Sequence, residues 1–541
     1  MELLNLELPA TNRFATGYLA GAPEIQRFFH YQYQSDTDYK ERLLELKQRN
    51  FMREELASCI EKYMKGFPSS KKVNDSLQKL TQEDSVVVIG GQQAGILTGP
   101  LYSIHKIISI IVLARQKEEE LGIPVVPIFW IAGEDHDYQE VNHIFVENEG
   151  KVQKVVYPEK VLEKKMVSDI SINKEVCTAW VEEIIENLGE TEHTNELLAC
   201  LREAVNQSET FVDFFAYIVM ELFKDYGLLI IDSGYAGLRC LEKEIFISQI
   251  QQAQRITNDV KQVQDELEKE GFFQAIDISG QAANIFYYDD RYKERILLDY
   301  MAERNEFIGK NGAVTFTYEE LLQIASEFPW KLSNNVVTRP ITQELLFPTL
   351  AFIAGPGEIA YWAELKKAFE GYAIKMPPIV PRLNITLLDR SVETDLHELG
   401  LALHTVLTSG TEKQKEDYLS TVKDEELSKL FQQAKEQLIE NYRDIKGRID
   451  KGLFPLLEKN QSLLLKQIEF MEGKVELSLQ EKHQVVLNKY IRVNNRLTPL
   501  GSPQERILNA IPFMNQYGIR FLATLANLSY TFDGKHKVIK I

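Results

Sequence analysis

Residues 85–114 read SVVVIGGQQAGILTGPLYSIHKIISIIVLA, and this stretch decides the fold. The run Val86–Ile89 is β-branched and apolar at every position, which suits a strand covered on both faces of a sheet. It ends at Gly90–Gly91. A Gly/Thr/Pro loop follows, and a helix is expected to open near Thr98–Pro100, because proline in the first helical turn loses no hydrogen bond. Ile104, Ile107, Ile108 and Ile111 keep helical spacing, and Gly122 closes the element. Strand, glycine loop and helix make the opening unit of a parallel α/β sheet.

Three further apolar runs match the first: PVVPIFWIAGEDHD (124–137), LLIIDSG (228–234) and TLAFIAGPGE (349–358). The last is followed by an amphipathic stretch, IAYWAELKKAFEG. The four strands end in GGQQAG, GEDHD, DSG and GPGE. Ligands of open parallel sheets bind outside the carboxyl ends of the strands, so these four ends are expected to surround one cleft.

The cleft residues carry recognisable chemistry. Gln92, Gln93, Thr98, Gly99 and Pro100 supply amide side chains and a turn suited to an anion or phosphate. The loop is neither a P-loop nor a dinucleotide fingerprint. His105 and Lys106 lie on the helix behind it. Glu134, Asp135 and His136 are the catalytic candidates, with Asp137 beside them for binding: this dense group could serve acid–base work, amine binding or metal ligation. HDYQEVNH is not the HExxH of zinc proteases, and the metal is left unassigned. Gly355, Gly357 and Glu358 open a helix, and Arg339 is a candidate carboxylate or phosphate clamp. Tyr102, Trp130 and Gln343 flank these clusters and join the binding set, whereas Tyr361 and Trp362 read as core. PRLN and PQER place Arg382, Asn384, Gln504 and Arg506 in a candidate second pocket.

The chain has 541 residues, 61 Lys and Arg against 80 Asp and Glu, and a net charge of −19. That balance argues against a nucleic-acid partner held by phosphate neutralisation. Hydrophobic residues at 44% and charged residues at 26% exclude a disordered chain. The apolar runs at 107–114 and 123–132 are too short to cross a membrane, and MELLNLELPATNR lacks a basic leader. Four cysteines without CxxC spacing suit reduced thiols in a cytoplasmic protein.

Residues 142–210 and 254–333 interrupt the α/β pattern and read as insertions into a core spanning 1–390, the second containing a hairpin in NIFYYDDRYKERILLDY. A helical arm is expected over 391–502. Leu427, Phe431, Ala434, Leu438, Tyr442, Ile445 and Ile449 step by three or four. After Gly452 and Pro455 a second series runs from Leu464 to Leu497. The pair suggests an antiparallel coiled-coil hairpin, its second helix of about 43 residues reaching roughly 65 Å. An exposed apolar seam on such an arm invites a homodimer. Residues 503–541 are apolar enough to return to the core.

GGQQAGILTGPLYSIHK, FWIAGEDHDYQEVNH, NNVVTRPITQELLFPTLAFIAGPGEIAYWAELK, MPPIVPRLNIT and PQER together resemble the BshC family, cysteine-adding ligases of bacillithiol biosynthesis. The resemblance implies a Rossmann-like core similar to class I aminoacyl-tRNA synthetases and nucleotidyl transferases, connecting-peptide insertions and a dimerising coiled coil. It implies cysteine and glucosaminyl-malate as substrates, joined as an amide, with no membrane partner. It further implies activation of the carboxylate by ATP or another nucleotide, with Mg. LTGP at 97–100 stands where those relatives carry their HIGH-type signature, without the two histidines. The alternatives are a nucleotidyl transferase on the same core and a non-catalytic coiled-coil assembly protein.

Overall fold

A computed structural model describes the chain except residues 149, 162, 290 and 292. The four expected strands share one parallel sheet, in the order Ile379–Pro381, Thr349–Ala354, Val86–Gln92, Val125–Ile131 and Leu229–Asp232. The fifth member, from MPPIVPRLN, was not read as a strand because three residues show no periodicity. Every residue of Val125–Ile131, Leu229–Asp232 and Thr349–Ala354 is buried, as helices on both faces require. The first strand runs on through Gly90 and Gly91 to Gln92. A Cβ on Gly90 would lie 3.1 Å from both the Ile353 carbonyl and Ile110 Cδ1, so glycine lets the neighbouring strand and helix close up there.

The chain order reverses across this sheet. After Val86–Gln92 it builds outward through Val125–Ile131 and Leu229–Asp232, then returns to place Thr349–Ala354 on the other side. The switch point therefore lies between the first and fourth runs. The helix after the glycine loop spans Tyr102–Leu121 and ends on Gly122 in the left-handed conformation. It starts later than the sequence suggested, because Ile96–Thr98 forms a separate 3₁₀ turn with Leu97 and Thr98 at positive φ. Ile104, Ile107, Ile108 and Ile111 are buried, and so is Ile110, which packs on the sheet at Gly90.

The stretch after residue 142 holds an antiparallel hairpin, His143–Asn148 with Lys151–Val156, and helices Lys174–Leu188 and Thr194–Gln207. The stretch from helix Ala253–Lys269 onward carries a five-stranded antiparallel sheet with its own apolar core around Leu298, Phe307 and Leu321. Its central pair is the expected hairpin, Ala282–Asp289 with Glu294–Met301; positions 290 and 292 of its connection lie outside the described residues.

The arm is shorter than expected at both ends: Val392, Leu396 and Val406, within the expected 391–502, pack with Leu388 and Val538 of the body. Helices Glu425–Lys446 and Phe454–Lys482 pair antiparallel, with Lys435–Glu472 and Lys446–Glu458 bridging them, and the break falls at Lys451–Leu453. The second helix, however, stops at Lys482. His483 leaves helical geometry and accepts or donates a 2.8 Å hydrogen bond with the Tyr418 hydroxyl. The next helix, Gln484–Leu497, turns its periodic residues Val493 and Leu497 onto Leu388, Val392, Leu396 and Val406 of the body. The free helix is thus 29 residues, about 45 Å, rather than 65 Å. A continuous apolar series concealed a change of packing partner.

The C-terminal segment bolts onto the core. Strand His536–Lys540 lies between Glu2–Leu6 and Ile385–Leu388. Gln504 bonds both backbone groups of Leu387, and Asn509 donates to the Leu97 and Gly99 carbonyls. Glu505 takes both arms of Arg382 at 2.7 and 2.8 Å and meets His105 at 2.9 Å. Burial alone would raise the Glu505 carboxyl, but Arg382 and His105 hold it at about 2. Because its folded pKa lies below the unfolded value, Glu505 stabilises the fold fully above about pH 4.5, and this contribution is lost as pH falls toward 2. Urea midpoints at pH 7, 4 and 3 are expected to fall more steeply in the wild-type protein than in Glu505→Gln, which is the less stable of the two at pH 7.

Candidate active site

A cavity of about 550 Å³ sits at the switch point, against the carboxyl ends of the strands. Gly91–Gln93 end the first strand, Trp130–Asp137 the second and Gly355–Glu358 the fourth; Arg382 follows the fifth. The DSG cluster is not among the lining residues. Asp232 instead accepts from Ser168 Oγ at 2.6 Å and from the Gly234 amide at 2.9 Å, while Ser233 Oγ receives the Glu134 amide. Burial raises the Asp232 carboxyl to about 6. The DSG cluster thus props the GEDHD loop rather than lining the cavity.

Lys106 is 1% exposed and reaches three groups: the Gly91 carbonyl at 2.6 Å, Gln92 Oε1 at 3.2 Å and Glu358 Oε2 at 2.5 Å. Burial lowers its pKa, and Glu358 opposes the shift. The Gly355 amide also donates to Glu358, so this helix start carries its own carboxylate. Arg339 bonds the Tyr361 hydroxyl at 2.7 Å and Gln343 Oε1 at 3.3 Å. Burial raises the Tyr361 hydroxyl to about 12, although Arg339 pulls it down. Among the described residues, Arg339 and Arg506 line the cavity with no carboxylate in ion-pair range.

The three catalytic candidates separate in the structure. Glu134 is 2% exposed and ion-paired with Arg239, which also holds Glu242 at 2.7 Å. It lines the cavity as part of a buried charge network. Asp135 is open to the cavity, its side chain 36% exposed, and accepts from Gln93 Nε2 at 3.3 Å and Arg295 Nη1 at 3.4 Å. Burial raises its carboxyl and Arg295 lowers it, with burial prevailing. His136 Nδ1 has no hydrogen-bond partner among the described residues. Burial, then Arg295, lowers the imidazole. Asp137 is exposed at the rim.

Tyr102, Trp130, Gln92, Gln93, Gly355, Gly357, Glu358, Arg339, Arg382 and Arg506 therefore meet in one cavity, which merges the candidate second pocket with the first. Seven candidates lie elsewhere. Thr98, Gly99 and Pro100 sit under Asn509, and His105 is buried against Glu505. Gln343 is buried behind Arg339, Gln504 holds Leu387, and Asn384 receives an Arg382 bond at 3.3 Å. Sequence reasoning missed Arg295, Phe286, Asn334 and Asn335, which come from the inserted sheet and its edge, and it placed Tyr361 in the core although it lines the cavity. The 96–101 loop does not fit a nucleotide cradle: its carbonyls are capped by Asn509 and the Leu101 amide is bonded to Leu508. Among the described residues no group of three or more His, Cys, Asp and Glu side chains is placed to hold a metal ion.

The arrangement separates charge along the sheet order. Asp135 and Asp137 follow the second strand, while Arg339, Arg382 and Arg506 gather near the fourth and fifth. Such a cleft can hold a molecule with a basic nitrogen at one end and carboxylates at the other.

Comparison with known proteins matches residues 1–383 to a family model described as "Bacillithiol biosynthesis BshC, N-terminal Rossmann-like domain", and residues 385–541 to "Bacillithiol biosynthesis BshC, C-terminal coiled-coil domain". A Geobacillus sp. (strain WCH70) protein is 44% identical over 544 residues, covering all of both chains. Relatives from Bacillus cytotoxicus and Bacillus cereus (strain AH187) are 40% and 38% identical, again over the full length of both. Each of the three carries the name "Putative cysteine ligase BshC".

The contrast between the two neighbouring carboxylates is measurable. Glu134→Gln, which breaks a buried pair, should cost about 3 kcal/mol of stability. Asp135→Asn should change it by less than about 1 kcal/mol. Chemical denaturation of the two variants compares them, and equal losses would contradict this division.

Proposed function

The chain belongs to the BshC family of bacillithiol biosynthesis, and from that premise we propose that it forms the amide between the carboxyl group of cysteine and the amine of glucosaminyl-malate in the cytoplasm. The carrying observation is the single cavity that brings Asp135, His136, Arg339 and Arg506 together at the strand ends. An amine attacks only as the free base, so one of the pair must take its proton. Arg339, fixed by Tyr361 and Gln343, is placed to hold a carboxylate or phosphoryl oxygen, and Arg506 offers a second charge. Tyr102 and Trp130 line the cavity between them and limit water.

Amide formation from a free carboxylate is uphill in water, and ATP or another nucleotide with Mg would supply the activation. The capped 96–101 loop offers it no cradle, so no step here is routed through a nucleotide at that loop. Incubating the pure protein with cysteine, glucosaminyl-malate and Mg-ATP, and following product, AMP and ADP together, tests the reading. AMP release marks an adenylate and ADP release an acyl phosphate. In a strain lacking the protein, bacillithiol should be lost and glucosaminyl-malate should accumulate. The Asp135→Asn and His136→Ala variants should restore the thiol poorly, with turnover lower by about 10²-fold or more. Normal bacillithiol in the deletion strain would overturn the assignment.

We further propose that the hairpin arm makes the protein a homodimer. Neither Glu425–Lys446 nor Phe454–Lys482 buries a single residue in one chain, and Leu430, Leu456 and Phe470 are 60–66% exposed. A stripe of that kind is usually covered by a partner. Sedimentation should report a dimer for the intact chain and a monomer once 425–482 is replaced by a short linker. A monomeric intact protein at micromolar concentration would refute it.

A further inference from the structure

Arg295 enters the cavity from outside the parallel sheet. It is the second residue of Glu294–Met301, in the inserted antiparallel sheet, and its side chain is 4% exposed. The insertion fixes it without help from the core. Nε donates to Ser333 Oγ at 2.9 Å, and Nη2 donates to the Asn334 carbonyl; both acceptors lie on the edge strand Leu332–Asn334. The guanidinium lies over the Phe286 ring, 3.9 Å from its centroid, on the paired strand. Phe286 in turn meets the His136 ring, with centroids 6.1 Å apart at an interplanar angle of 62°.

Two contacts cross to the core. Nη1 is 3.4 Å from Asp135 Oδ1, and Nη2 is 3.8 Å from Glu134 Oε2. Glu134 has a closer cation in Arg239, so Arg295 is not needed to neutralise it. The contact with Asp135 is longer than the 2.7–2.9 Å of a tight charge-assisted bond. A staple between insertion and core would be close and dehydrated, as Glu134–Arg239 is. Arg295–Asp135 is instead loose and faces an open cavity, which leaves carboxylate lone pairs free for a ligand.

We propose that Arg295 is a positioning residue for the reaction: the inserted sheet uses it, with Phe286, to orient the Asp135–His136 pair toward the bound amine. This rests on the amide-forming reading above and goes beyond it, because it makes the insertion part of the active site. The charges facing His136 are Asp135 and Asp137 on its own loop, Arg295 from the inserted sheet and Lys164 from the segment between hairpin and helix. Arg295 and Lys164 favour the neutral imidazole and the two carboxylates the charged one, so each change at the pair has a defined sign. A neutral imidazole can accept the amine proton, and an ionised Asp135 can hold the ammonium before it is lost.

The test follows the His136 ring by NMR in the ligand-free, full-length protein with labelled histidine, assigned through His136→Gln. In Arg295→Gln the His136 midpoint should move to higher pH, and in Asp135→Asn to lower pH. Arg295→Lys, which keeps the charge, should stay near the wild type. An unmoved midpoint in both Arg295→Gln and Asp135→Asn would overturn the proposal. If Arg295→Gln does not fold, Phe286→Leu serves in its place. That variant frees the guanidinium from its ring and should also shift the midpoint, and no shift would count against the coupling. These readings need no substrate, so they stand or fall apart from the ligase assignment. In the complemented strain, Arg295→Gln should lower bacillithiol at least tenfold while Arg295→Lys recovers part of it. Equal thiol levels in wild type and Arg295→Gln would refute the role in catalysis even where the titration shifts.

Discussion

Lys106 is a buried ammonium, and a charge in that position is tolerated only where several oxygen atoms converge on it. They come from two of the strand ends: the Gly91 carbonyl and the Gln92 amide oxygen in the first, and the Glu358 carboxylate in the fourth. Meeting that demand fixes the end of the first strand against the helix that follows the fourth, across the point where the chain order reverses. The cleft is held open at that seam. Glu358 bonds the Gly355 amide as well, so one carboxylate ties the lysine and the helix start together. Replacing Glu358 would leave the Lys106 charge buried without its carboxylate, which is far more costly than losing a surface pair.

The same accounting separates residues that build the site from residues open to a ligand. Glu134, Glu242, Arg239 and the Arg382–Glu505 pair are enclosed and mutually neutralised. Asp135, His136, Arg339 and Arg506 line the cavity without such closure. Adjacent residues fall in opposite classes because the chain turns after Ile131, the Asp135 amide bonding back to the Ala132 carbonyl: Glu134 reaches into the body to Arg239, and Asp135 reaches Gln93 and the cavity.

Much of the parallel sheet was legible in the sequence, because doubly covered strands are apolar runs and glycine-rich ends mark their carboxyl termini. PVVPIFWI and TLAFIA needed no further information. The cluster at Asp135–His136 stood out for the same reason, at the end of such a run. What escaped detection depends on contacts between distant segments. Arg295 is one charged residue in an alternating hairpin, and nothing local distinguishes it from a solvated strand position. Only the pairing of its sheet brings it to Asp135, 160 residues away in sequence. DSG looked like GEDHD and GPGE, yet Ser168 and the Gly234 amide satisfy its carboxylate from within. The arm series ran unbroken through His483 because a helix needs the same spacing whether it faces a partner helix or the body.

The C-terminal segment covers the 97–100 loop, which stands where the resemblance to synthetases sets their HIGH-type signature. Positive φ at Leu97 and Thr98 turns the loop's carbonyls outward, and exposed carbonyls at a buried position need donors. Asn509 supplies them with a single amide nitrogen, and the Leu508 carbonyl takes the next free amide, at Leu101. The returning chain thus takes up the Leu101 amide and two of the loop's carbonyls. The same return places Arg506 in the cavity, one residue after Glu505 locks onto Arg382 and His105. A positive charge is withdrawn from one part of the sheet edge and delivered to another by consecutive residues of one segment. The glycine loop accordingly serves as the surface on which the end of the chain is seated.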